Sequence, residues 1–465
     1  EGTVLTLVVP SDRGAESPRN PIPTGPVVRR TRAEPTPTPT YPNLLRDPHD
    51  EFLFEHYTRS QLVEFVEEGP ARLIGDPAMF ESISVSPDGR HVLATVIERP
   101  FSFRTAYRGF PRRTFIMDKQ GTVLTTLDER PLQEGRNPPN SNGGSKPRAF
   151  AWRPDGTGLS FLARAGEDDE EASNEGEDSA RSDRVMLLTA PFDMDQAQVV
   201  VETEDRINSV TYTMDGSGAF GSISKDGKTG LVYWELDSTL EPLRMLVDFH
   251  ETDDPVGQPG DLWAARTGNG LSFAPVSSDG SATYLSGDGV NPDFRPQPFV
   301  DRVSLADGSS QRVFESSSDS FEQPLVGLDP DLNRMIVSRE SNTDFPDSYL
   351  WERGGSTENL TNNIDPFPAI TNARRIDFDF VRRDGVEVQG RVSLPVDYVE
   401  GQKVPAIFWT YPREYEEAEG YEFATLRARN RNAFTHMSWL RWSNIWLTQG
   451  YALIYPDIPI IGENY

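Results

Sequence analysis

Cysteine is absent from this chain, which excludes disulfide frameworks, cysteine nucleophiles, thiolate zinc sites and iron–sulfur clusters together. Lysine is nearly absent, occurring only at Lys119, Lys146, Lys225, Lys228 and Lys403, and histidine is confined to His49, His56, His91, His250 and His436. No histidine belongs to an H-E-x-x-H pair or a local cluster with carboxylates, so no metal site is read and the histidines are expected to serve structure. No apolar run approaches the ~20 residues of a membrane-spanning helix, and the opening TVLTLVVP, residues 3–10, has the length of a strand. A G-x-S-x-G nucleophile elbow is also missing; the nearest string, FGSISKDG around Ser222, stands among strands and not at a strand-to-helix turn. The strings TGNG and SGDG lack the strand–turn–helix context of a phosphate loop. No cofactor is expected.

Acid is present in excess. The 465 residues carry 45 Lys and Arg against 73 Asp and Glu, a formal charge of −28. Such a surface repels phosphate backbones and anionic lipid, because nucleic-acid affinity rests on clustered cations, so no nucleic-acid partner and no membrane span are expected. At ~100–200 residues per domain the length implies two or more domains. The chain opens at Glu1 and its first methionine is Met79, as expected of a processed terminus or the edge of a fragment. A periplasmic or secreted location is expected in preference to a cytoplasmic one.

A turn signature recurs after short β-branched or aromatic runs: ISVSPDGRHVLATVI around Asp88, FAWRPDGTGLSFLA around Asp155 and VTYTMDGSGAFGSI around Asp215, with looser copies at Asp279 and Asp329. The intervals between these aspartates are 67, 60, 64 and 50 residues. Each Asp-Gly or Pro-Asp suits a tight hairpin turn, and the flanks alternate as half-buried strands do. Each interval also contains two further strand-like runs, so four short antiparallel strands recur, the unit of a β-propeller blade. Five blades fit between about Met79 and Asn363, and TVLTLVVP, SQLVEFVEE and PARLIG supply the later strands of a sixth whose first strand is absent. Residues 11–45, with EPTPTPTYP, read as an extended loop. The acidic run of residues 166–183 reads as a solvated hairpin insertion, because it lacks the ligand spacing around a Gly turn that calcium loops need.

Near residues 365–375 the pattern changes. IDFDFVRRDGVEVQGRVSLP is a hairpin turning at Asp384-Gly385; VPAIFWTYP reads as a fully buried strand, residues 427–449 as a helix ending at Gly450, and YALIYPD as another buried strand. Antiparallel hairpin, buried strand, helix and buried strand are how an α/β domain opens. The expected fold is therefore mostly β: a β-propeller over residues 1–370 with its first blade missing or incomplete, then the start of an α/β domain over residues 371–465.

The succession of this propeller pattern, RRDGVEVQGRVSLP, VPAIFWTYPREY and GYALIYPDIPIIGE resembles the prolyl oligopeptidase family of serine peptidases, specifically its glutamyl endopeptidase branch. VPSDRGAESPRNPIPTGP, LLRDPHDEFLFEHYTRSQLV, ERPFSF and GFPRR extend the resemblance across nearly the whole chain. It implies about six of seven propeller blades here, followed by the N-terminal part of an α/β-hydrolase domain whose Ser-Asp-His triad stands beyond residue 465. The implied substrate is a peptide, with cleavage after Glu implied by the branch, and another segment of the hydrolase domain, or another chain, is expected to complete the sheet. Tyr411, ending the strand in WTYP, is implied as an oxyanion donor, a role in which a preorganised hydroxyl is worth ~3–4 kcal/mol. Glutamyl specificity implies cations for the substrate carboxylate. The densest arginine segment holds Arg99, Arg104, Arg108, Arg112 and Arg113, with Arg99 and Arg104 the candidate substrate-binding residues. The alternative is a non-catalytic propeller scaffold in a larger assembly, since fold alone does not establish an enzyme.

Overall fold

The computed structural model describes residues 3–18, 44–67, 69–134, 147–164, 182–236, 243–434 and 439–462. EPTPTPTYP and nearly all of the acidic insertion lie outside the described residues. The chain divides into two compact units, one of residues 1–226, 234–242 and 266–273, the other of residues 227–233, 243–265 and 274–465.

In the first unit, β1 (Thr3–Val8) pairs antiparallel with β2 (Ser60–Val66), which pairs with the first half of the long β3 (Arg72–Val85). From Met79 onward β3 pairs instead with β4 (His91–Ile97), which leads to β5 (Arg112–Asp118) and β6 (Val123–Arg130). One continuous strand thus closes the three-strand N-terminal sheet and opens the next blade, where PARLIG and the run before Asp88 read as two separate strands. The following blade orders β7 (Arg148–Trp152), β8 (Leu159–Arg164), β9 (Asp183–Leu188) and β10 (Gln198–Thr203) as a meander. Then come β11 (Arg206–Tyr212) and β12 (Gly218–Lys225), the latter holding Ser222 in mid-strand. The sequence reading has no counterpart for helix α1 (Pro48–Thr58). Asp47 caps it by accepting from His49 and Asp50 N–H, with Pro48 at the first turn, where its missing N–H costs nothing.

β13 (Lys228–Glu235) and β14 (Leu243–His250) follow in the chain. The short β15 (Asp261–Leu262), β16 (Ala265–Arg266) and β17 (Ser272–Phe273) come next, β17 belonging to the first unit. In the second unit β15 joins β18 (Ala282–Gly287), β19 (Phe299–Ser304) and β20 (Ser310–Glu315) in one four-stranded sheet. β21 (Phe321–Gly327), β22 (Arg334–Glu340), β23 (Asp347–Glu352) and β24 (Glu358–Asn359) form the next. The protein is thus mostly β and blade-built.

One turn chemistry explains the repeat. Ser86, Thr213 and Ser277 donate their hydroxyls to Asp88, Asp215 and Asp279 at 2.6, 2.7 and 2.6 Å. The same three hydroxyls accept the N–H five residues on, from His91, Gly218 and Ala282. Each aspartate also accepts a backbone N–H two residues ahead, an Asx turn that satisfies the hairpin without water. Hydrogen bonds from Thr213 and Ser277 accordingly hold the Asp215 and Asp279 carboxyls below the usual range. In the second hairpin Arg153 takes the hydroxyl's place, bonding Asp155 at 2.6 Å and reaching the Gly216 carbonyl of the next hairpin at 3.1 Å. Gly216 has φ +73°, and a Cβ there would stand 1.9 Å from Asp155 Oδ2, so both backbone conformation and hairpin docking require glycine. Further bonds between hairpins run from Trp152 Nε1 to Ser84 O (3.0 Å) and from Ser278 to Asp331 (2.9 and 2.6 Å).

The last segment begins with α2 (Pro368–Thr371) and the hairpin β25 (Arg375–Val381) and β26 (Glu387–Ser393). β27 (Ala406–Phe408), β28 (Pro412–Tyr415), α3 (Ala418–Ala428), a 3₁₀ segment (Trp439–Gln449), β29 (Ala452–Pro456) and β30 (Ile458–Ile461) follow. The sheet order is β25-β26-β29-β27, with β27 and β29 parallel. β29 is an interior strand whose Ala452 and Leu453 are buried while Ile454, Tyr455 and Pro456 are partly exposed, Leu453 packing with Ile370, Ala373 and Leu447.

Two readings are corrected here. Strand β27 is only three residues long and lies at the sheet edge with Phe408 exposed, so it is not of the fully buried type. The helix expected over residues 427–449 instead ends at Ala428, and a 3₁₀ segment begins only at Trp439. Asn430 breaks the helical run, its side chain accepting the Asn432 N–H at 2.8 Å, while the Arg431 N–H goes to Phe294 O at 2.7 Å.

Candidate functional site

The parallel register pairs Phe408 with Ile454 and, after a short break, resumes without slip as Pro412 with Ile458 in the two-stranded β28–β30 sheet. Tyr411 therefore stands at the register position of Asp457, just past the carboxyl ends of β27 and β29, which is where open α/β sheets place their sites. Tyr411 is 78% exposed, and its phenol has no hydrogen-bond partner among the described residues. Phe408 and Trp409 are exposed beside it in the chain.

Opposite, Asp457 is held on three sides. Its carboxylate accepts from Tyr421 OH (3.1 Å) and Arg429 Nη2 (2.8 Å), and its N–H donates to Gln389 O (2.8 Å). Burial, then the Asp457 charge, pushes the Tyr421 hydroxyl above its ordinary value, so it stays a donor. The segment carrying Arg429 is tied to the blades of the same unit. Arg429 and Arg431 lie over the Phe294 ring, Asn432 bonds Arg295 (2.6 Å) and Ser318 O (2.8 Å), and Phe434 N–H bonds Glu340 (3.0 Å). Burial pushes the Glu340 carboxyl up.

Trp409 N–H donates to Ile454 O and Pro405 O accepts from Ala452 N–H, both at 2.9 Å. Residues 405, 407 and 409 thus face β29, and alternation turns the N–H and C=O of Ala406 and Phe408 toward the open edge.

The arginine segment lies in the first unit, on the loop joining β4 to β5. Arg99 bonds Glu55 (2.6 and 3.0 Å) and Glu51 (3.3 Å) of α1 and stacks over Phe101. Arg104 pairs with Glu134 at 3.2 Å, a carboxylate that also accepts from Ser102 at 2.5 Å. Both candidate cations are half-exposed and already carry carboxylate partners. Arg99 and Arg104 share one loop, while Tyr411 belongs to the other compact unit. Asp457 was not singled out from sequence; its signal is a lone carboxylate between the apolar runs YALIYP and IPII. Among the described residues no group of three or more His, Asp or Glu is placed to hold a metal, and no helix is long and apolar enough to cross a membrane.

These features define a chain of antiparallel blades leading into an α/β sheet with a tyrosine at its carboxyl edge. No protein-family model matches it. Over 481 residues it is 26% identical to a protein of Oryza sativa subsp. japonica named probable glutamyl endopeptidase, chloroplastic, covering 99% of this chain and 50% of that protein. An Arabidopsis thaliana protein of the same name is 26% identical over 486 residues, covering 99% and 49%. The chain is thus similar in sequence to proteins named probable glutamyl endopeptidase, the branch its motifs resemble. It spans about half the length of the curated relatives it matches. Among solved structures, oligopeptidase B from Leishmania major is 11% identical with a TM-score of 0.48, covering 86% of this chain and 48% of that one.

Proposed function

We propose that this chain is the propeller, residues 1–370, and the opening of the catalytic domain, residues 371–465, of a serine endopeptidase that cleaves peptides after glutamyl residues. Its Ser-Asp-His triad stands on polypeptide beyond residue 465, and that polypeptide adds a strand to the β27 edge, where Ala406 and Phe408 offer unpaired backbone groups. The observation that carries the reading is the free phenol of Tyr411 at the carboxyl end of β27, beside that edge. In acyl transfer a serine Oγ, deprotonated by histidine, attacks the scissile carbonyl, and charge develops on its oxygen. The Tyr411 O–H donates to that oxyanion, and Asp457, braced by Tyr421 and Arg429, fixes the strand ends from which Tyr411 projects. Arg99 and Arg104 remain the candidates for the substrate carboxylate, and binding by either would displace the carboxylate it holds, Glu55 or Glu134. The relatives' names place them in the chloroplast, whereas a periplasmic or secreted location is the one expected from this sequence.

The test is a fluorophosphonate label and a Glu-containing peptide assay on the full-length protein. Labelling of a serine beyond residue 465, with hydrolysis, is expected. In Tyr411→Phe, kcat is expected to fall ~10²–10³-fold. A full-length protein that neither labels nor cleaves contradicts the reading in favour of a scaffold.

A further inference from the structure

Over residues 429–434 local preference and structure disagree. Arg429, Arg431 and Ala433 are good helix formers and continue the pattern of α3, yet α3 stops at Ala428 and Arg429 is already extended, with φ −97° and ψ 128°. Neither helix nor strand pairing replaces the lost turns. The segment is a strap with two faces, both within the second unit. Toward the final sheet, Arg429 bonds Asp457 at 2.8 Å and Arg431 stands 3.7 Å from Asp377 of β25. Toward the blades turn Asn432 and Phe434, 2% and 3% exposed. Asn432 holds Arg295 and Ser318 O at 2.6 and 2.8 Å, and the Phe434 N–H donates to Glu340 at 3.0 Å.

The blade side of this contact is strained. Phe294, on the β18–β19 connection, accepts the Arg431 N–H and has φ +61°, a region that bulky side chains rarely enter. Asn291 holds the turn from one side, accepting the Arg295 N–H at 3.1 Å. The strap holds it from the other, with Arg429 and Arg431 over the Phe294 ring. Such a conformation persists only where its surroundings over-determine it, and strained positions concentrate where a structure switches. A helix-forming run held extended against a strained turn therefore has a competing arrangement, the helix, whenever the contact is lost.

We propose that residues 429–434 are a releasable clasp. Docked, they lie extended between the final sheet and the blade loops, and Arg429 braces Asp457. Released, they leave Phe294, Ser318 and Glu340, α3 lengthens through them, and Asp457 keeps Tyr421 but loses Arg429. The clasp thereby couples movement of the β18–β19 and β20–β21 connections to the strand ends next to Tyr411. This coupling does not depend on the peptidase reading.

Native-state hydrogen exchange of the 465-residue chain in rising urea, below its unfolding midpoint, tests the proposal. The amides of Arg431, Phe434 and Asp457, bonded to Phe294 O, Glu340 and Gln389 O, are expected to share one partial opening with a single urea dependence. The Trp409 amide, bonded to Ile454 O inside the sheet, is expected to exchange only through a larger opening. Asn432→Ala removes the blade-side bonds and favours helix, and is expected to speed all three clasp amides at least about tenfold while leaving Trp409 within about threefold. Thr361→Ala, which removes a bond to Asp347 in the last blade away from the strap, is expected to leave the clasp amides within about twofold. Asp457 exchange that follows Trp409 instead of Arg431 and Phe434 overturns the proposal. So does an Asn432→Ala protein in which Arg431 and Phe434 exchange faster and Asp457 does not. Should Asn432→Ala fail to fold, the wild-type urea series decides the matter by itself.

Discussion

The blade hairpins and the final sheet solve the same problem, that of pairing backbone groups, in opposite ways. At Ser86–Asp88, Thr213–Asp215 and Ser277–Asp279 the turn's own hydroxyl and carboxylate satisfy the backbone N–H groups, and each motif spans only six residues. The final sheet instead leaves β27 with a neighbour on one side, and exposes Phe408, Trp409 and Tyr411 there. A blade turn is complete from local sequence, whereas the edge of a parallel sheet depends on a strand that must come from a distance.

This contrast predicts where substitutions hurt. The largest effect is expected inside the blades, at Arg148. Its guanidinium, 6% exposed, bonds Asp183 (2.5 Å) and Ile207 O (2.9 Å), while Asp183 also accepts Ile207 N–H (2.9 Å). Arg148→Ala leaves the charge of Asp183 buried in that junction and is expected to destabilise by ~3–5 kcal/mol, read as a lowered midpoint in urea. A change under 1 kcal/mol would mean the junction is far wetter than its burial implies.

Within the final sheet, Leu453→Ala is expected to cost ~2–4 kcal/mol, because the side chain is wholly buried against Ile370, Ala373 and Leu447. Phe408→Ala at the open edge is expected to change stability of the 465-residue chain by less than ~0.5 kcal/mol. The same substitution in the full-length protein sharpens the comparison: a larger loss there is expected if a further strand covers Phe408.

A pH-dependent effect is expected at Glu340, which ties the blade strand β22 to Phe434. Burial raises its folded pKa above the unfolded value, so the native state holds more protons between the two. Its contribution therefore favours folding at low pH and is lost as pH rises through the folded value. Glu340→Gln keeps an acceptor for the Phe434 N–H and removes the buried charge. It is expected to raise Tm by about 1–3 °C at pH 7–8, the gain vanishing below about pH 4. A gain that persists at pH 3 would exclude titration as its cause.

The same contrast explains what the sequence made legible. Asp-Gly turns and alternating flanks mark the blades because hairpin chemistry is local, and the long β3 was readable as two successive strand signals meeting at Met79. Helix α1 announces itself with Asp47-Pro48 and an acidic first turn, yet its role as the partner of Arg99 needs the fold. The helix end at Ala428 was not readable, because the Arg431 N–H is taken by Phe294, 137 residues earlier in the chain. VPAIFWTYP has the composition of a buried strand, but burial depends on a neighbour that sequence pattern does not supply. Tyr411 was singled out only through the family resemblance of WTYP, and it stands three residues past the end of β27. Asp457 became visible only through the parallel register.

The central proposal is that a further strand pairs with the β27 edge. Hydrogen exchange of the Ala406 and Phe408 amides, measured in the 465-residue chain and in the full-length protein, tests it most directly. Fast exchange in the shorter chain and strong protection in the longer one are predicted, with the amide of Trp409, bonded to Ile454, protected in both. Equal exchange of Ala406 and Phe408 in the two proteins would contradict the account.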